Sequence, residues 1–124
     1  MLHVRSVSHW APVCIGPYSQ AVSTQGVLRL AGQIGLVPHV MRLVRKFART
    51  VSTATPTALQ RYRKAVGGWE AELRQTVANV RAVLEAKGSA WTDACVLHMT
   101  LFVSEAAWTR SREGACFARV FGSG

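Results

Sequence analysis

Ile15-Gly16-Pro17-Tyr18-Ser19-Gln20-Ala21 is the stretch around which this sequence is organised, and Ala31-Gly32-Gln33-Ile34-Gly35-Leu36 follows it closely. Proline fixes the backbone angle φ and glycine lets backbones approach closely, so Gly16-Pro17 predicts a rigid bend. Tyr18 and Ser19 come directly after this bend, where their side chains can project into a cleft. A Gly-Pro or Ala-Gly pair alone is typical of an ordinary turn. The presence of both motifs in one short stretch is harder to explain by turn formation alone.

The residues between the two motifs predict a β-hairpin. Gln20 to Thr24 and Val27 to Ala31 are short runs rich in apolar or β-branched residues, and the turn-like pair Gln25-Gly26 separates them. The second strand of this hairpin leads into Gly32. The predicted hairpin therefore connects the two motifs.

The two motifs resemble those of a known family. IGPYSQAV at residues 15–22, followed by LRLAGQIGLVP at residues 28–38, is similar to the YjgF/RidA (Rid) family of small imine/enamine deaminases. The resemblance covers residues 11–44 and 67–122, which is most of the chain.

Three later pieces resemble one subgroup of that family, the Rid-like domains near the C-terminal end of eukaryotic diphthine–ammonia ligases. These pieces are MRLV at residues 41–44, Gly67-Gly68, and ELRQ at residues 72–75 leading to Asn79. The narrower resemblance makes a role beside such a ligase the first functional hypothesis.

The resemblance implies a fold, an assembly and a site. Family members have an α+β fold of the chorismate-mutase-like kind, with a β-sheet covered by two helices, and three subunits pack around an axis with the active clefts between them. Tyr18 corresponds to the cleft tyrosine of the family and is the candidate catalytic residue. The residues expected to bind substrate are Ser19, Ala31, Gly32 and Gln33. The resemblance implies no cofactor.

The end of the chain departs from the family pattern. That pattern continues past Gly124 into a segment resembling Pro-Ala-Arg-Ser and a final strand, which bring the arginine that anchors a substrate carboxylate. A polar residue of the second helix, usually asparagine in active deaminases, corresponds here to Gly114. We therefore expect one domain at residues 1–124 that lacks its last strand, and whether it is itself an enzyme stays open.

Three functions are compatible with the resemblance. The first is an accessory Rid-like domain in diphthamide synthesis on elongation factor 2; the chain has no phosphate-binding loop of the G-x-x-x-x-G-K-[ST] type, so the ATP-dependent step would lie elsewhere. The second is hydrolysis of 2-imino acids, and the third is RNA binding or endoribonuclease-like cleavage. The corresponding partners are a homotrimer or a neighbouring Rid-like domain, a small imine or enamine, and nucleic acid.

Length and composition bear on the number of domains, on the cellular compartment and on whether metal or disulfide sites are expected. The chain has 124 residues, 49% of them hydrophobic, which suits one domain with a single core. No apolar run approaches the roughly 20 residues of a membrane span, and the N-terminus lacks a secretory signal pattern. The three cysteines form no C-x-x-C pair, so neither a metal site nor a disulfide framework is predicted. A reduced, cytoplasmic setting without membrane association is expected.

The net charge of +9 belongs largely to one segment. Residues 42–66 contain seven basic and no acidic residues, whereas the rest of the chain contains eight basic and six acidic residues. The part at about 45–66 interrupts the family pattern, and its Thr-, Ser- and Pro-rich middle is typical of a loop. It is either a basic loop that meets RNA or another polyanion, or an insertion without an evolved role, such as a translated intron. Its composition and abrupt placement favour the second interpretation.

The rest of the chain predicts two helices and one strand. An apolar stripe at helical spacing indicates a helix over residues 69–87, which Gly88 ends. The stripe comprises Trp69, Leu73, Val77, Val80 and Leu84. The charge-free run ACVLHMTLFV at 94–103 has the length of a strand buried on both faces. Ser104-Glu105 then caps a second helix at about 106–121, which gives the order β-β-α-β-α.

Overall fold

The computed structural model describes residues 1–44, 68–92 and 94–110. These residues form four short strands and two helices in the order β-β-β-β-α-α. The elements are β1 (Ala21–Thr24), β2 (Val27–Leu30), β3 (Leu36–Val37), β4 (Arg42–Leu43), α1 (Gly68–Ala86) and α2 (Glu105–Arg110). The predicted insertion at 45–66 and the end of the second predicted helix lie outside the described residues.

The predicted hairpin is confirmed, since β1 and β2 pair antiparallel with Ala21 opposite Leu30. The turn residues Gln25 and Gly26 have φ angles of 52° and 77°. Positive φ at both central residues is characteristic of the type I′ turn, whose backbone twist matches that of the flanking strands. Gln-Gly therefore closes the hairpin with only two residues.

An N-terminal arm runs beside β1. Leu2 donates a backbone hydrogen bond to Ala21 O at 2.8 Å, and Leu2 O accepts one from Gln20 N at 2.8 Å. Further along the arm, Cys14 N donates to Val4 O at 3.0 Å. The arm thus supplies partners for the backbone of β1 on the side away from β2.

The predicted helix is also confirmed, because α1 spans residues 68–86 and its apolar stripe is turned inward. Leu73, Val77 and Leu84 are buried. Gly88 follows the helix with a φ of 70°, and Ser89 N reaches back to Leu84 O at 2.9 Å, which is the expected glycine-based C-terminal stop.

The main core lies between the arm, the hairpin and the C-terminal half of α1. Val83 is fully buried there and clusters with Val4, Ala11 and Ala21. A smaller cluster joins Leu73 and Val77 to the half-buried side chains Trp69 and Val103. Helix α1 therefore packs through two adjacent faces, of which the sequence pattern predicted one.

A second, very short strand pair connects the hairpin to α1. Strands β3 and β4 are antiparallel, with Leu36 opposite Leu43, and Val44 N donates to Gly35 O at 2.9 Å. This pair was not predicted, because two-residue strands are too short to show a period. Its effect is to fold the chain back directly after Gln33.

The prediction of a buried strand at 94–103 is wrong. The described residues of this run belong to no strand, and Leu97 and Phe102 are 80% and 92% exposed. A charge-free run becomes a buried strand only where neighbouring elements cover both faces, and no described strand pairs with this one. Helix α2 does begin as predicted, because Ser104 Oγ accepts a hydrogen bond from Ala107 N at 3.3 Å.

Candidate functional site

The five predicted site residues lie on two backbone segments that meet at one end of the hairpin. Tyr18 and Ser19 come just before β1, and residues 31–33 come just after β2. Ala31 N donates a hydrogen bond to Gln20 O at 2.9 Å, which joins the two segments directly. The fold thus brings together the residues that the sequence placed in one site.

Tyr18 stands on the predicted bend. Its backbone N donates to Gly16 O at 2.8 Å, so the chain turns within three residues around Pro17. A Cβ at Gly16 would lie 3.4 Å from Cδ1 of the Tyr18 ring, which shows how closely the ring follows the bend. The residue is 40% exposed, so part of its surface is open to a bound molecule.

Ser19 has a different environment from its neighbour. It is half-buried, and its Oγ donates to Met1 Sδ at 3.3 Å. A thioether cannot remove a proton from the hydroxyl, so this contact does not activate Ser19 as a nucleophile. The described contacts of the hydroxyl group are therefore those of a hydrogen-bonding group, without a base beside it.

A buried amide, whose role the sequence pattern did not indicate, links the two segments. The Gln20 side chain is 1% exposed and donates through Nε2 to Pro12 O at 2.8 Å. Its Oε1 accepts a hydrogen bond from Nε2 of Gln33. No local signal in the sequence indicates this role, because the partner Pro12 is brought within reach only by the fold.

A second buried amide fixes the loop after Gln33 onto α1. Asn79 is 1% exposed, and its Nδ2 donates to Ile34 O at 3.0 Å and to Leu36 O at 2.9 Å. Its Oδ1 accepts from Gln75 Nε2 at 3.0 Å. Asparagine is a poor residue for a helix interior, so its presence there is a signal for such a tertiary contact.

Gly35 allows this loop to approach the helix. A Cβ at Gly35 would lie 2.7 Å from Glu72 O and 2.8 Å from Glu72 Cα, which is closer than non-bonded atoms tolerate. By contrast, a Cβ at Gly32 would meet nothing within 4 Å. One glycine of the motif therefore serves packing, and the other borders open space.

The described site consists of amides, hydroxyl groups and backbone, so its chemistry is that of hydrogen bonding. In the described ranges no three His, Cys, Asp or Glu side chains come together as they would around a metal ion. Nor does the described part of the chain include a helix that is long and apolar enough to cross a membrane.

The fold and the site define a class: a small α+β domain in which a Gly-Pro-Tyr bend and a Gly-Gln loop meet at the base of a hairpin. The family described as endoribonuclease L-PSP matches residues 9–112. The chain therefore belongs to this family, the YjgF/RidA family, as its motifs predicted.

Two relatives represent the two branches of the resemblance. A diphthine–ammonia ligase of Schizosaccharomyces pombe is 57% identical over 42 residues, which are 34% of this chain and 7% of the ligase. A RutC family protein of Synechocystis is 30% identical over 95 residues, which are 77% of this chain and 56% of the relative. The chain thus spans only part of the length of either relative.

A solved structure supports the fold. The crystal structure of a Thermotoga maritima protein described as a candidate endoribonuclease has a TM-score of 0.64 and 27% sequence identity, and the match covers 98% of this chain and 76% of that one. The predicted fold class, α+β of the YjgF/RidA kind, is confirmed.

Proposed function

We propose that residues 1–124 form a Rid-like accessory domain of the diphthine–ammonia ligase type, which contributes to diphthamide synthesis on elongation factor 2. The observation that supports this is the 57% identity over 42 residues with the Schizosaccharomyces pombe ligase. The ATP-dependent step belongs elsewhere, because the chain has no Gly-rich phosphate-binding loop.

A chimaeric ligase tests this function. The segment of the Schizosaccharomyces pombe ligase that aligns with this chain is exchanged for the matching segment of this chain, and conversion of diphthine to diphthamide is followed by mass spectrometry of the modified peptide. We expect the chimaera to convert diphthine at the rate of the parent ligase. A chimaera that is expressed and folded but leaves diphthine unconverted would count against the proposal. Where the exchanged segment includes Tyr18, a Tyr18→Phe version separates assembly, which it leaves intact, from chemistry at the site.

Hydrolysis of small imines is the second candidate function, and the exposed Tyr18, on the segment that is joined to residues 31–33, favours it. In this reaction water adds to the C=N carbon, and after proton transfer the nitrogen leaves as ammonia, so that the imine becomes a carbonyl compound. Tyr18 would exchange a proton at the nitrogen or the water. The proposed active form is a homotrimer. Its mass can be measured directly by sedimentation.

Ammonia release from a 2-imino acid, formed in situ by an amino-acid oxidase, measures this activity. We expect Tyr18→Phe to lower the rate about 100-fold, in the range of a lost proton-transfer group. Thr24→Val, at the far end of β1, is the control and should keep the wild-type rate. An unchanged rate in Tyr18→Phe would remove Tyr18 from the chemistry.

An endoribonuclease-like role is the third candidate, because the family description names that activity and the chain carries a net charge of +9. Binding through phosphate contacts predicts that affinity for a short RNA falls steeply as salt rises. Fluorescence anisotropy over a salt series tests this. Binding that is absent or independent of salt excludes the RNA function.

A further inference from the structure

The side-chain amides of Gln20 and Gln33 form a relay whose direction is determined at its buried end. Gln20 donates through Nε2 to Pro12 O at 2.8 Å. A carbonyl oxygen only accepts hydrogen bonds, so the Gln20 amide must present its nitrogen to Pro12 and its oxygen to Gln33. Because the side chain is 1% exposed, water cannot substitute for either partner.

The orientation of Gln33 follows from that of Gln20. Gln33 donates through Nε2 to Oε1 of Gln20, so its own Oε1 is the end that is left to accept a hydrogen bond. Gln33 is half-buried. It follows Gly32, where an added Cβ would meet no atom within 4 Å. Gln33 therefore presents an oriented acceptor on the segment that Ala31 N ties to Gln20 O, one residue after a glycine that borders open space.

We propose that Gln20 is a positioning residue, which holds the Gln33 amide so that Oε1 of Gln33 accepts a hydrogen bond from an N–H group of a small bound nitrogen compound, such as an imine, enamine or amine. The proposal rests on the small-molecule function proposed above. Without Gln20, the Gln33 amide would be free to rotate and to present either end to the ligand. Holding it in one orientation before binding lowers the ordering cost of the complex.

Two substitutions of Gln20 separate orientation from packing. Gln20→Met keeps the length of the side chain and removes both hydrogen bonds. Gln20→Glu keeps the shape, and its carboxyl group reproduces the wild-type pattern only when protonated, since the O–H can then donate to Pro12 O while the other oxygen accepts from Gln33. The two partners of this side chain, a backbone carbonyl and an amide, do not titrate.

The expected kinetic result is a change in KM for a 2-imino acid. Gln20→Met should raise KM about tenfold and leave kcat within about twofold, as expected for the loss of a buried hydrogen bond that orients a binding group. Gln20→Glu should keep KM within about threefold of wild type at neutral and at low pH, because its carboxyl group accepts from Gln33 Nε2 in either protonation state, whereas Gln20→Met lacks this acceptor at every pH. Gln25→Met, on the exposed hairpin turn, is the matched control and should behave as wild type.

Side-chain amide resonances of ¹⁵N-labelled protein test the relay without any turnover. In wild type, one hydrogen of the Gln33 amide should be shifted by its hydrogen bond to Gln20, and the shift should be lost in Gln20→Met. Alanine, the amine counterpart of 2-iminopropionate, should perturb the Gln33 amide of wild type but not of Gln20→Met.

The outcomes separate the two proposals. If wild type hydrolyses no imine but alanine perturbs Gln33 only when Gln20 is present, the hydrolytic function fails and the positioning role stands. If Gln20→Met is folded and has a wild-type KM, or if the Gln33 amide is the same in both proteins, the positioning role is overturned. The positioning role is also overturned if wild type hydrolyses no imine and its Gln33 amide resonances do not change when alanine is added.

Discussion

In the segment from Gln20 to Leu36 a polar side chain is buried, and in the run at 94–103 apolar side chains are exposed. This is the reverse of what polarity alone suggests. The first contains a glutamine that is 1% exposed, whereas the second contains a leucine and a phenylalanine, Leu97 and Phe102, that are 80% and 92% exposed. Gln20 is buried because both ends of its side-chain amide have partners, Pro12 O and Gln33 Nε2. The more apolar run lies outside both described sheets.

The difference shows that burial follows the supply of hydrogen-bond partners as well as apolar content. A backbone can be buried only where its N–H and C=O groups are paired. The arm and β2 supply those pairs around β1, and Asn79 supplies them for Ile34 and Leu36. The following substitutions test how much each of these contacts contributes.

The largest effect is expected for Gly35→Ala. The added Cβ would lie 2.7 Å from Glu72 O, so the loop or the helix must move. We expect the free energy of unfolding to fall by about 3 kcal/mol, as in severe overpacking. Gly32→Ala is the control, with open space for its Cβ and an expected change within about 0.5 kcal/mol. Chemical denaturation measures both, and equal effects would show that Gly35 does not pack against α1 in solution.

Asn79→Leu should have the next largest effect. It removes the buried donor that Ile34 O and Leu36 O share, at an expected cost of about 2.5 kcal/mol in the free energy of unfolding. Asn79→Asp tests the same contact through the dependence of stability on pH, because an aspartate carboxylate that faces two carbonyl oxygens has a raised pKa in the folded state. Its stability relative to wild type should therefore improve as the pH falls and worsen as it rises. A deficit that does not vary with pH would contradict this contact.

A pair of apolar truncations compares the two regions directly. Val83→Ala removes fully buried methyl groups and should lower the free energy of unfolding by about 2 kcal/mol. Leu97→Ala removes more atoms from a side chain that is 80% exposed, and should change it by less than about 0.5 kcal/mol. If Leu97→Ala costs as much as Val83→Ala, the run at 94–103 is covered in solution, and the contrast between the regions disappears.

The smallest effect is expected on the surface of α1. Arg74 donates to Glu70 Oε1 at 2.8 Å, but its side chain is 56% exposed. Arg74→Ala should therefore lower the free energy of unfolding by only about 0.4 kcal/mol, and less at high salt. Thermal unfolding in low and high salt measures this. An effect above about 1 kcal/mol would mean that Arg74 has a further partner.

The elements that could be predicted from sequence are those whose determinants are local. The hairpin depends on two short runs of apolar or β-branched residues around Gln25-Gly26, and α1 depends on an apolar stripe in a helix that Gly88 ends. Both were predicted to within one residue of the observed bounds. The meeting of the two motif segments, through the hydrogen bond from Ala31 N to Gln20 O, followed from the hairpin, since its two ends are neighbours.

The features that could not be predicted depend on distant partners. The buried roles of Gln20 and Asn79 require knowing that Pro12 and Ile34 come within reach. The error at 94–103 has the same origin, because a charge-free run indicates a tendency to be covered without indicating what covers it. The functional roles of Tyr18 and Gln33 stay predictions that the variants above test.

The hydrogen bond from Asn79 to Leu36 O closes a loop of 43 residues, and this has a consequence for chain entropy. The entropic cost of closing a flexible loop grows only with the logarithm of its length, by about 0.6 kcal/mol for each doubling. Without the 22 residues at 45–66 the same contact would span 21, so the longer connection costs about that one doubling. Its greater effect is on folding rate, because contacts of high sequence separation form late. Additional length between β4 and α1 therefore delays the docking of the helix far more than it weakens the docked state.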